Sequence, residues 1–343
     1  MNILGIIKNM KELAGTVRGA DPLGILEEEL AGALSLYWST ADRILKGSGI
    51  NLKPLPSDFH SLDKNFFSAL FLYSFQRAGI SKERRILYAA INQCLRGMVT
   101  GCDNILDDEY KKTLDTDLPE KGTKFRSIID IMVSDRVLFE ILLQSSKRGD
   151  IAAEHVLAAS SETIRALTRS GVQEASEEGG VSNILEPEEV LSSVHHYKTG
   201  VLFKCPWAVP AIIEDIDPNL IAGLGNALYD IGMGCQIMDD MTDLSSDIEK
   251  SRHNYVVSLI YHDSDPAESG KLQALMVSGL VDNEKSSLMM QFPRARTTAA
   301  KASLKYLYSG LGALLDPRHQ FLTEPAIQFL ANRIGAQRFI SGI

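Results

Sequence analysis

Cysteine is scarce, with four in 343 residues. Cys94, Cys102, Cys205 and Cys235 form no C-x-x-C pair and stand in apolar surroundings, which excludes a zinc ribbon or a disulfide-stapled scaffold and leaves buried thiols. No basic excess exists either: 35 Lys and Arg face 44 Asp and Glu, a net charge of −9. That excludes general nucleic-acid binding, which needs a basic patch. No run reaches the ~18 apolar residues of a membrane span, and the apolar start Met1–Ile7 is too short for a signal peptide. A cytoplasmic protein with no integral membrane segment is expected. G-x-G-x-x-G, Walker and G-x-S-x-G patterns are missing, so nucleotide and serine-hydrolase chemistry lose their support. His195, His196 and His253 lack zinc spacing and read as core or helix-surface residues.

Strand-like alternation between hairpin turns is also missing. What is present is helical periodicity. Residues 23–45 carry Leu26, Leu30, Ala33, Leu34 and Tyr37 at three- and four-residue steps behind Asp21-Pro22, an N-cap and a first-turn proline. Further helices are expected over 64–78, 82–101 (capped by Ser81), 106–110, 125–146, 151–177, 187–197, 202–213, 219–246 and 256–261, with Gly and Pro falling between them. With 45% hydrophobic residues the chain can bury a large core. The expectation is an all-α, single-domain antiparallel helical bundle, with residues 1–50 as an N-terminal helical extension and 51–343 as the catalytic domain.

Within this apolar helical background, Gly234–Asp247 presents acids at Asp239, Asp240, Asp243 and Asp247. Asp239, Asp243 and Asp247 repeat every four residues and share one helix stripe. Like charges in a row repel. A lone pair of this kind is usually a solvated face, but a buried helix precedes these acids, where charge is costly, and a divalent cation would compensate. Mg²⁺ suits such oxygens and shares its shell with substrate phosphates. A second cluster, Cys102–Lys112, places Asp103 and Asp107 on one face at the end of another apolar helix. Lys112, Lys198 and Lys250 lie near acidic or Thr/Gly-bearing turns. Carboxylates, Mg²⁺ and lysines together describe a diphosphate site.

Asp103-Asn-Ile-Leu-Asp107, Lys198-Thr-Gly-Val-Leu-Phe203 and Gln236-Ile-Met-Asp-Asp-Met-Thr-Asp243 resemble, in order, the first Asp-rich motif, the K-T-G-x-L-F motif and the Q-x-x-D-D-x-x-D motif of trans-isoprenyl diphosphate synthases, the polyprenyl synthetase family of class I isoprenoid synthases. The Gln173 region resembles the family's G-Q-x-x-D helix, and the segment from Lys250 its lysine-bearing stretch. The resemblance spans roughly residues 60–340. It implies the isoprenoid synthase fold, helices around a deep central cavity with the two acidic clusters at its mouth, and a homodimer. It implies three Mg²⁺ ions bound with an allylic prenyl diphosphate, held by Asp103, Asp107, Asp239 and Asp243. Lys198, Lys250 and Lys112 would grip diphosphate, Thr199 and Gln236 would stand near the reacting carbons, and isopentenyl diphosphate would be the second substrate.

The sequence departs from this pattern in places. Asn104 replaces an aspartate of the first motif, and Lys112-Thr113 stands where two arginines are usual. The G-G-K-R-x-R stretch that binds isopentenyl diphosphate is replaced by Ser61–Asn65, with Lys64, Lys82, Arg84, Arg85 and Arg96 as the remaining bases nearby. Prenyl transfer in polyprenyl diphosphate synthesis therefore stands beside two alternatives: terpene cyclisation or transfer to a non-isopentenyl acceptor, and a non-catalytic subunit of a hetero-oligomeric prenyltransferase. Val99 and Met98 occupy positions where aromatics floor the family's cavity, with Leu95 a turn deeper. An open floor and a chain of fifteen carbons or more are implied, unless Tyr73 or Phe139 closes it. Residues 125–143 read as a core helix, with a dimer interface as the alternative.

Overall fold

The structure is a computed structural model that describes residues 5, 6, 8, 10, 22–56, 58–262, 266–279 and 287–342. Asp21, the expected N-cap, lies outside the described residues. All regular elements among the described residues are helical, apart from one isolated bridge between Leu52 and Thr116. The longer helices are α1 (Pro22–Leu45), α2 (Phe66–Arg77), α3 (Lys82–Leu106), α4 (Thr123–Lys147), α5 (Ala153–Ser176), α6 (Pro218–Lys250), α7 (Tyr255–His262), α8 (Pro266–Ser278), α9 (Pro293–Leu314) and α10 (Thr323–Ile334). Helices α1 to α7 fall close to the spans that the apolar periodicity predicts. Ser81 occupies the N-cap position of α3 with an extended backbone, although its side chain makes no capping bond.

The chain divides into two compact units. One consists of Arg18–Leu167 with Cys205–Ala222. Its centre is α3, which lies against α1, α2 and α4. Small residues make the α3–α4 approach possible: a Cβ on Gly101 would stand 2.6 Å from Ile131 and 2.9 Å from the Ser127 carbonyl. Leu26, Leu30, Leu34 and Tyr37 of α1 are buried here, so part of the stretch expected as an extension contributes core. Phe75 stacks edge-on with Tyr88 and Trp207.

The other unit consists of Met1–Val17, Thr168–Lys204 and Gly223–Ile343. Here α6 is packed by α9: a Cβ on Gly234 would stand 2.7 Å from Leu307, and Ser303 donates to the Gly234 carbonyl at 2.7 Å. Two helical expectations change in detail. Residues Val190–Gly200 wind as a π-helix, and the segment expected as one helix over 202–213 breaks into short turns at Cys205–Trp207 and Pro210–Ile213. The helix expected at 106–110 is absent: α3 ends at Leu106, and Asp108 turns the chain with φ 54°.

Candidate functional site

In the second of these units, the K-T-G motif and the acidic end of α6 are joined by a hydrogen-bonded chain. The Thr199 hydroxyl donates to the Gln236 side-chain oxygen. Gln236 in turn donates through Nε2 to Asp240 Oδ1 at 3.1 Å, and the backbone N–H of Tyr255 donates to Asp240 Oδ2 at 2.6 Å. Asp240 is buried, and the fully buried His195 ring places Nε2 3.0 Å from Oδ2, without the alignment of a hydrogen bond. Asn254 closes the set, donating to both the Asp240 carbonyl (2.9 Å) and the Asp247 carboxylate (2.8 Å). Asp240 thus faces inward as a structural node. Asp239 and Asp243 are exposed, about 60–100° round the helix from Asp240.

The motif glycine has a steric reason. A Cβ on Gly200 would overlap the Tyr229 ring, and one on Gly232 would stand 2.7 Å from the Phe203 ring. Glycine and aromatic therefore alternate across the contact between this segment and α6. Tyr229 is further fixed by a 2.9 Å hydrogen bond to His196 Nδ1. The π-helical turn leaves the Lys198 carbonyl open to Ser170 of α5, which donates to it at 2.9 Å; π-turns of this kind are frequent at functional sites.

Lys198 is half-buried, 3.3 Å from Glu174. Burial alone would lower its pKa, but Glu174, Glu177, Asp240 and Asp247 outweigh it and hold the ammonium above its usual range. Gln173 donates to Glu177, and Glu177 accepts from the His253 N–H, both at 3.1 Å. The acids behave oppositely. Crowding by protein, then Asp243, Asp240 and Asp247, push the Asp239 carboxyl up to about 7. Its exposed tip keeps some water, which moderates the push. Burial, then Asp240, push Asp247 up to about 7 against the Asn254 hydrogen bond. Negative charge is held here against its own repulsion, and a cation would relieve it. Among the described residues no three His, Cys, Asp or Glu side chains are grouped to hold a metal alone. The carboxylates instead suit Mg²⁺, whose shell waters and substrate phosphates complete. Asp247 is held by Asn254, and Lys250 is exposed at the end of α6.

In the first unit, Asp103 and Asp107 are half-buried at the end of α3. Asn104 points elsewhere: it is buried, donates to the Lys111 carbonyl at 3.0 Å and accepts from the Lys111 N–H at 2.8 Å. Lys112 pairs with Asp115 at 2.9 Å, and buried Thr113 donates to Asp130 at 2.9 Å. The bases left in place of the missing motif are engaged. Lys64 pairs with Asp58, Lys82 with Glu28, Arg84 with Glu214, Arg85 with Glu29, and Arg96 donates to Asn65. Of the floor candidates, Met98 and Leu95 are buried and Val99 half-buried. Tyr73 is buried, whereas Phe139 lies on an exposed face.

His195, Asn254, Glu174 and Glu177 were not expected at this site. Lys198, one residue before Gln236's partner Thr199, is a local signal that calls for acids such as Glu174 and Glu177 beside it, and none pointed to Asn254.

No curated protein sequence matches the chain. Among solved structures it is similar to a geranylgeranyl pyrophosphate synthetase from the archaeon Geoglobus acetivorans (TM-score 0.60, 19% identity, covering 90% of this chain and 98% of that one). It is also similar to a decaprenyl diphosphate synthase from Rhodobacter capsulatus (0.59, 16%, 91% and 98%) and a heptaprenyl diphosphate synthase from Staphylococcus aureus (0.56, 16%, 96% and 98%). At such identities these matches establish the isoprenoid synthase fold. The family model for polyprenyl synthetases matches residues 123–308, which hold the K-T-G segment and the acidic end of α6. Since that match covers more than half of the chain, the protein belongs to the polyprenyl synthetase family, whose members are prenyltransferases.

Proposed function

We propose that the chain is a Mg²⁺-dependent isoprenoid synthase that ionises an allylic prenyl diphosphate and transfers the prenyl group to isopentenyl diphosphate, forming a longer prenyl diphosphate. The observation that carries this reading is the Thr199–Gln236–Asp240 chain beneath the exposed Asp239 and Asp243, beside a lysine kept charged. Asp103 and Asp107 on α3, and Asp239 and Asp243 on α6, are the residues to hold Mg²⁺, for which three ions are expected. When bound, the ions supply Lewis-acid stabilisation of the leaving diphosphate. The remaining work falls to side chains. Lys198 donates to diphosphate oxygens as their charge grows when the allylic C–O bond breaks. Lys250 and Lys112 bind diphosphate from the ends of their helices and loops. Thr199 and Gln236 turn oxygen atoms toward the developing allylic cation, and Gln173 steadies Glu177, one of the acids that keep Lys198 charged.

A second reading has its own support. Arg85 is locked to the buried Glu29, with Nε to Oε2 at 2.8 Å, and Arg84 lies 3.2 Å from a Glu214 that also accepts from Tyr88. Neither base is open to a second diphosphate, which favours cyclisation or transfer to a non-isopentenyl acceptor. Incubation with farnesyl or geranylgeranyl diphosphate, with and without isopentenyl diphosphate, separates the readings. A longer diphosphate formed only with isopentenyl diphosphate supports the first; a hydrocarbon or other ionisation product without it supports the second.

We also infer a cytoplasmic homodimer. Helix α4 buries one face, through Val133, Val137 and Ile141, and exposes Phe125, Ile128, Met132 and Phe139 along the other. Asp135 and Arg136 sit within that stripe, so a two-fold partner would offer each charge its complement. An apolar stripe of this kind on a monomer would otherwise stay wet.

A further inference from the structure

His195 is fully buried, takes no part in the chemistry proposed above, and has no aligned hydrogen-bond partner at either ring nitrogen among the described residues. Polar atoms are costly to bury unless something uses them. The ring's place is specific. His195 and Thr199 stand four residues apart on the turn Val190–Gly200, and Gln236 and Asp240 stand four residues apart on α6; at this spacing each pair shares a side of its helix. Two rungs therefore join the segment to α6. In the first, the Thr199 hydroxyl donates to Gln236 Oε1; in the second, His195 Nε2 lies 3.0 Å from Asp240 Oδ2, a hydrogen-bonding distance. Gln236 Nε2 links the rungs by donating to Asp240 Oδ1 at 3.1 Å.

A glutamine amide can be turned end for end, presenting either a donor or an acceptor to its neighbour. A carboxylate only accepts, so Asp240 Oδ1 selects the orientation with Nε2 toward itself and Oε1 toward Thr199. Thr199 then commits its proton to Oε1, which leaves its oxygen lone pairs for the site. We propose that His195 is a positioning residue for the allylic transfer: with the ring turned into line, its Nε2–H gives Oδ2 a second donor beside the Tyr255 N–H and holds the carboxylate so that Oδ1 stays on Gln236. This role rests on the reading proposed above, in which Thr199 and Gln236 face the developing cation. Dipoles fixed in this way act on charge as it develops, and less on the bound substrate.

The test is steady-state release of diphosphate from farnesyl and geranylgeranyl diphosphate, with isopentenyl diphosphate and Mg²⁺, by the full chain. His195→Phe, which keeps a ring and removes the donor, should lower kcat about tenfold, the order of one net hydrogen bond, with KM for the allylic diphosphate unchanged. His195→Gln, whose Nε2–H reaches a similar point, should recover most of that loss. On a Thr199→Val background His195→Phe should cost little more, because the hydroxyl it positions is gone. Equal losses in the Phe and Gln variants, an effect carried by KM, or losses that simply add to that of Thr199→Val would each overturn the positioning role. A second measurement needs no turnover. The histidine ring N–H spectrum of the wild type should hold an Nε2–H resonance protected from exchange with water and lost in His195→Gln; its absence overturns the hydrogen bond even where His195→Phe does not fold. Silence of the wild type with every prenyl diphosphate brings down the functional reading and the positioning role with it, whereas failure of the positioning role alone shows only in the variants and the ring signal.

Discussion

The side-chain amide of Asn104 holds Lys111 from both sides, donating to its carbonyl at 3.0 Å and accepting from its N–H at 2.8 Å. An amide does both through separate atoms, whereas an ionised carboxylate can only accept. The residue that departs from the first acidic motif is thus committed to fastening the turn after α3, on a line of the helix away from Asp103 and Asp107. Asn104→Asp, which restores the family pattern, turns a donor into a second acceptor against the Lys111 carbonyl. It should cost about 1–3 kcal/mol of stability, read by urea denaturation. An equally stable variant would show that the amide pair is not holding the turn.

Gly200 is predicted to tolerate no side chain. The Cβ of Gly200→Ala would overlap the Tyr229 ring, and an overpacked contact of this kind typically costs about 1–3 kcal/mol. Adding Tyr229→Leu should recover much of that loss. Thermal melting of the single and double variants checks the pair. If Gly200→Ala melts with the wild type, the contact does not explain the motif.

Asp130 makes stability fall as pH rises. Burial pushes its carboxyl up to about 7 despite the Thr113 hydrogen bond and the Arg126 charge. Its folded-state pKa lies above the unfolded value of about 3.9. Below about pH 4 both states are protonated and the group is neutral in effect. Between there and about pH 7 the folded state binds the extra proton, so stability declines, and above that window the full penalty remains. Asp130→Asn should therefore stabilise the protein at pH 8 and remove part of the decline between pH 4 and 7. Asp239 and Asp247, also pushed up to about 7, keep the rest of it. Denaturation midpoints across that range decide the matter, and an unchanged slope would contradict the assignment.

The exposed stripe on α4 predicts assembly. Met132, 61% exposed, lies near the middle of the stripe between Phe125 and Phe139. Met132→Glu places like charges together at a two-fold contact and should convert a dimer to monomer without lowering the melting point of the monomer. Light scattering reads the mass. A wild-type monomer, or a dimer indifferent to the change, would remove this surface from the account.

Much of the fold was legible because its helices carry apolar residues at a 3.6-residue period, and α3, α4 and α6 fall close to their expected spans. Motif residues Lys198, Thr199 and Gln236 were legible as a set, and Thr199 and Gln236 are in direct contact. Other features depend on partners distant in sequence. Periodicity cannot distinguish an α-helix from the π-helix at Val190–Gly200. Nothing local marked Asp240 as the inward node, because its partners Tyr255 and His195 come from elsewhere in the chain. Helix spacing gives no sign of the Asn254–Asp247 bond, because Asn254 reaches Asp247 only after the chain has turned. The family match begins at residue 123, beyond the first acidic cluster, and the departures at Asn104 and Ser61–Asn65 lie in the part it leaves out.

The central claim is that Asp103 and Asp239 serve diphosphate chemistry. Its most direct test is Mg²⁺-dependent release of diphosphate from farnesyl and geranylgeranyl diphosphate, in the presence of isopentenyl diphosphate, by the chain alone. The wild-type protein should turn over, and Asp103→Ala and Asp239→Ala should each abolish turnover while remaining folded, with Asp239→Ala at least as stable as the wild type without metal because a repelling carboxylate is gone. Full Mg²⁺-dependent activity in either variant, or silence of the wild-type chain with every prenyl diphosphate, would contradict the account.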